Sequence, residues 1–98
     1  MKPEQIVESL EGAAEGLNVK VRYEALGPSG VTGSGGLCKV RGEWWLILDK
    51  KTTPAERVTL LADALARFDT DGMDLPTKAR EALTASRRAQ LAAAPSSP

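Results

Sequence analysis

Trp44-Trp45-Leu46-Ile47-Leu48 is an unbroken apolar run with no polar residue on either side of the pleat. A strand of this kind must be covered on both faces, so it belongs in the interior of a sheet and not at a wet edge. The residues before it set its first neighbour. Leu37-Cys38-Lys39-Val40 is a second short strand, and Arg41-Gly42-Glu43 links the two with a glycine able to take positive φ, which predicts an antiparallel hairpin over 37–48. Adjacent strand residues point to opposite faces, so one tryptophan turns inward and the other outward. A one-residue change of register swaps them, and the sequence leaves that choice open.

Upstream, Pro3 to Gly16 carries Ile6, Leu10, Ala13 and Leu17 at helical spacing, with Glu4, Glu8, Glu11 and Glu15 on other faces. Pro3 suits a first-turn position and Gly16 a left-handed stop. From Leu17 to Ala25 the apolar residues alternate with Asn18, Lys20, Arg22 and Glu24, predicting a strand with one core face and one wet face. Gly27 to Gly36 holds too little apolar surface for a regular element and reads as a flexible connector.

Downstream, Thr53-Pro54-Ala55-Glu56 is a capping box with proline at the first helical position. Val58, Leu61, Ala62, Leu65 and Phe68 continue it, and Asp71-Gly72 is read as its end. Pro76 opens a third amphipathic segment with Ala79, Leu83 and Ser86 inward. The expected fold is α+β: a helix, a three-stranded antiparallel or mixed sheet, then two helices, the helices packed on one face. Residues 1–91 form one domain, and 92–98, rich in alanine, serine and proline, form a flexible tail.

The chain has no histidine and a single cysteine, Cys38. A His-paired nucleophile, a zinc finger and an internal disulfide are therefore excluded. The glycine segment leads into a strand and lacks the Gly-Lys-Ser/Thr sequence of a nucleotide loop. Counting from Gly72 as the sixth position, a calcium loop would need ligands where Arg67 and Lys78 stand. No cofactor is expected. Thirteen basic residues balance thirteen acidic ones, so a general polyanion binder is not expected either. The charge is uneven along the chain: residues 1–16 carry one base and four acids, and residues 76–98 four bases and one acid. No stretch approaches the ~20 apolar residues of a membrane span, and with no apolar signal core near Met1 the expected location is the cytoplasm.

From about Gly35 to Phe68 the chain resembles the ImmA/IrrE-type zinc metallopeptidases, in which a hydrophobic strand and a polar turn lead to a helix bearing H-E-x-x-H. Trp45-Leu46-Ile47-Leu48-Asp49 is similar to that strand and Leu61 to Arg67 to the zinc helix. The resemblance puts Asp63 and Arg67 at the histidine positions and Ala64 at the catalytic glutamate, so every residue that would hold zinc or activate water is replaced. It implies a metal-free zincin-like domain whose former substrate groove and edge strand bind a peptide without cutting it. Asp63 and Arg67, four apart, are also placed for an ordinary helical ion pair.

Together these features predict a small non-enzymatic interaction or regulatory module with a protein partner or a second copy of itself. The residues expected to meet the partner are Lys39, Arg41, Trp44, Trp45, Asp63 and Arg67. Two other classes compete. One is an enzyme using Asp or Glu residues or Cys38 in a pocket near the glycine segment. The other is nucleic-acid binding through Lys78, Arg80, Arg87 and Arg88 of the last helix.

Overall fold

The computed structural model describes residues 2–25 and 35–93. Six elements follow one another: α1 (Pro3–Gly16), β1 (Val19–Glu24), β2 (Gly35–Val40), β3 (Glu43–Asp49), α2 (Pro54–Leu65) and α3 (Thr77–Ala93). The expected glycine connector falls largely on 26–34, outside the described residues. Of the tail expected over 92–98, Ala92 and Ala93 belong to α3 instead; residues 94–98 also lie outside the described residues.

The apolar run takes the middle of the sheet, whose order is β1-β3-β2. β2 pairs with β3 antiparallel, and β1 pairs with β3 parallel, Val19 opposite Trp44 and Glu24 opposite Asp49. The hairpin turn is two residues long. Arg41 (φ 53°) and Gly42 (φ 83°) both take positive φ, the backbone that matches the twist of an antiparallel pair, while Val40 and Glu43 form the last pair of the ladder.

The register decides the tryptophans. Trp44, Leu46 and Leu48 share the inner face, and Trp45 and Ile47 the outer one. The inner face is the core: Leu46 and Leu48 are buried against Leu10 of α1 and Leu61 and Leu65 of α2. Burying each such leucine contributes about 1.5–3 kcal/mol. α1 and α2 lie on the sheet and on each other, and α3 packs on those two through Ala79 and Leu83. β3 is the most completely covered of the three strands among the described residues, as expected, but its two faces are covered by different means. Among the described residues no helix or strand lies over the outer face, where Trp45 and Ile47 remain half-buried.

Two helix ends differ from expectation. α1 turns out of its helix at Asn18 (φ 62°), not at Gly16, because asparagine also tolerates the left-handed region and lies where the chain must reverse into β1. α2 stops at Leu65, before Asp71-Gly72. Its start is as expected: the Glu56 amide donates to Thr53 Oγ1 at 3.2 Å and the Thr53 amide to Glu56 Oε1 at 2.8 Å. At its C-terminal end the backbone tightens, the Arg67 amide donating to the Ala64 carbonyl and the Phe68 amide to the Leu65 carbonyl, and Arg87 of α3 donates to the Ala66 and Phe68 carbonyls left open there. On α1 the buried stripe runs through Val7, Leu10, Ala13 and Ala14, with Ile6 and Leu17 at its margins.

Candidate functional site

Two open grooves lie at opposite edges of the sheet. The first, of about 500 Å³, separates β2 and β3 from α2. α2 covers the β2 side of the inner face incompletely, so Leu37 and Trp44 stay half-buried beside the fully packed Leu46 and Leu48. The floor is therefore apolar. Trp44 is fixed there by an edge-to-face contact with Phe68, the ring centres 5.6 Å apart. The Lys39 ammonium sits 5.3 Å from the Trp44 ring, and Asp63 and Arg67 line the α2 wall.

Asp63 and Arg67 form no ion pair among the described residues, contrary to the helical pairing expected of them. Asp63 is held from α3 instead, where Gln90 Nε2 donates to its carbonyl at 2.7 Å and to its carboxylate at 3.3 Å. Arg67 is exposed, and its side chain makes no hydrogen bond or ion pair within the described residues. Lys39, Trp44, Asp63 and Arg67 thus come together on one groove. Trp45 and Arg41 do not belong to it. Trp45 lies on the other side of the sheet, and Arg41 occupies the exposed hairpin tip.

Trp45 is roofed by two cations. Lys20 Nζ lies 5.2 Å and the Arg22 guanidinium 5.4 Å from its ring, and these are tied to Glu43 at 3.1 Å and Glu24 at 3.3 Å. The aliphatic stems of Lys20 and Arg22 take the place of a covering element. Cys38, opposite Trp45, is half-buried on this same outer face and not in the core where a strand cysteine is usually packed.

The second groove, of about 780 Å³, runs between α1 and β1. Here the Tyr23 hydroxyl donates to the Glu11 carboxylate, and the Arg57 guanidinium stacks 4.6 Å from the phenol ring. Burial first, and the Glu11 carboxylate second, hold the Tyr23 hydroxyl well above its ordinary range. Arg57 also donates to the Lys50 carbonyl and to Thr52 Oγ1, which fastens the turn after β3 to β1. Sequence reasoning did not single out Glu11, Tyr23 or Arg57 as a group, since no short-range spacing connects them.

No family model, curated protein or solved structure matches the chain. Among the described residues no group of three His, Cys, Asp or Glu side chains is placed to hold a metal ion. Among them also, no helix is long and apolar enough to cross a membrane. Of the four basic residues at the C-terminal end, two are engaged internally. Arg80 donates to the Thr70 and Met73 carbonyls, and Arg87 caps α2 as described above. Lys78 lies 3.5 Å from Glu81, which leaves Arg88 as the charge least committed.

Proposed function

We propose that the chain is a small cytoplasmic protein-interaction module, a metal-free domain of zincin-like arrangement, which holds a segment of a partner protein without catalysing a reaction on it. One observation carries the reading: an apolar floor centred on Trp44 lies open between β2 and α2, with Lys39 and the uncommitted Arg67 at its margins. A large rigid aromatic beside a cation in an open groove is a common anchor of protein interfaces. The internal engagement of Arg80 and Arg87 supports ranking this above nucleic-acid binding.

The test is affinity capture from the native lysate by the tagged protein and by its Lys39→Glu/Arg67→Glu variant. Both changes are at exposed positions, so the fold is expected to persist, as thermal unfolding would check. A specific protein recovered by the parent and lost by the folded variant supports the reading. Recovery of the same proteins by both removes this groove from consideration.

A further inference from the structure

The free edge of β1 forms a docking surface of different character from the groove at β2. Among the described residues β1 closes the sheet on the side away from β2, so half of its main-chain N–H and C=O groups face away from β3 and pair with no strand there. The adjoining groove is open along Val21 and Tyr23, with Val19 buried at its end, and α1 forms its far wall with Glu11 and Glu15. Lys20 is the single cation among the lining residues, and Glu43 lies 3.1 Å from its ammonium. The lining thus sets three carboxylates against one ammonium.

That charge decides the occupant. A second copy docking edge to edge through β1 would bring Glu11 and Glu15 against their own counterparts, which is repulsive. An acidic segment meets the same obstacle, whereas a basic one is attracted. We infer that the β1 edge receives an extended lysine- or arginine-bearing segment of another protein as an added strand. Its main chain pairs with β1, its inward side chains carry the cations past Val21 and Tyr23 to Glu11 and Glu15, and its alternate apolar side chains lie outward along the stems of Lys20 and Arg22. This inference concerns the opposite edge from the proposed groove and does not depend on it.

The test is an amide-resolved NMR titration of the full chain with a capped peptide of alternating lysine and valine, matched to the six residues of β1. A glutamate-valine peptide of the same length is the control. The lysine peptide is expected to shift the amides of Val19 to Glu24 and the glutamate peptide to leave them in place. Glu15→Lys, an exposed change, is expected to weaken the lysine peptide about tenfold. Raising salt from about 0.05 to about 0.5 M is expected to weaken it several-fold. Equal response to both peptides, shifts centred on Gly36 to Val40, or no response to the lysine peptide at millimolar concentration overturns the inference. An unfolded Glu15→Lys protein leaves the peptide contrast and the salt series to decide.

Discussion

The two faces of the sheet solve one problem by different means. On the inner face, Leu46 and Leu48 are 2% and 0% exposed because α1 and α2 supply close-packed apolar partners. On the outer face, Trp45 and Ile47 are only half-buried, and what covers Trp45 is the paired and stacked side chains of Lys20 and Arg22. The inner face is held by shape, and the outer by flexible stems and charge. Among the described residues the outer side carries few apolar groups, and long cations shelter Trp45 where the helices shelter Leu46 and Leu48.

Substitution along β3 tests the contrast most directly. Leu48→Ala should destabilise the protein by about 2–5 kcal/mol in urea unfolding, as a large-to-small change in a filled core does. Ile47→Ala, one residue away, should cost less than half as much. Equal losses would mean that the outer face is covered as tightly as the inner. A smaller effect is expected at the helix that builds the inner layer: Thr53→Ala removes the acceptor for the Glu56 amide and should cost about 1 kcal/mol. Smaller still, Lys20→Gln should cost roughly 0.5–1 kcal/mol at low salt, for the stacking on Trp45, and the loss should shrink as salt rises. A salt-independent loss would show that packing of the stem, not its charge, is what matters.

Alkali offers the complementary probe. The Tyr23 hydroxyl is held above its ordinary range near 10 in the folded protein, so folding favours the neutral phenol. Its contribution is complete below that range and declines as pH rises through it, because the unfolded chain ionises first. Tyr23→Phe should therefore flatten the fall in stability between about pH 10 and pH 11. A parallel decline in both proteins would assign alkaline loss elsewhere.

Much of the fold was legible because its signals are local. Arg41-Gly42 specifies its own turn, Thr53 and Glu56 cap their own helix, and the unbroken apolarity of Trp44 to Leu48 places β3 between two neighbours. What escaped depends on residues far apart in the chain. The inward turn of Trp44 is fixed by where β1 docks, and nothing within β1 states that it pairs parallel to β3. Arg87 reads as one more surface cation until α3 folds back and brings it to the end of α2. The site divides in the same way. Trp44, Asp63 and Arg67 stood out by composition or resemblance and meet on one groove, whereas Glu11 and Tyr23 are joined only by the crossing of α1 over β1.

The parallel register of β1 also has a consequence in time. The hairpin of β2 and β3 closes through a two-residue turn, while Val19 must find Trp44 across the whole of β2 and the chain before it. Closing a longer loop costs more entropy before any contact is gained, so the hairpin is expected to lead and β1 to arrive late. Changes at Gly42 should then slow the folding limb of a chevron, and changes at Val19 should mostly hasten the unfolding limb. The strand that completes the sheet would thus govern how long the folded molecule lasts, and the hairpin how soon it forms.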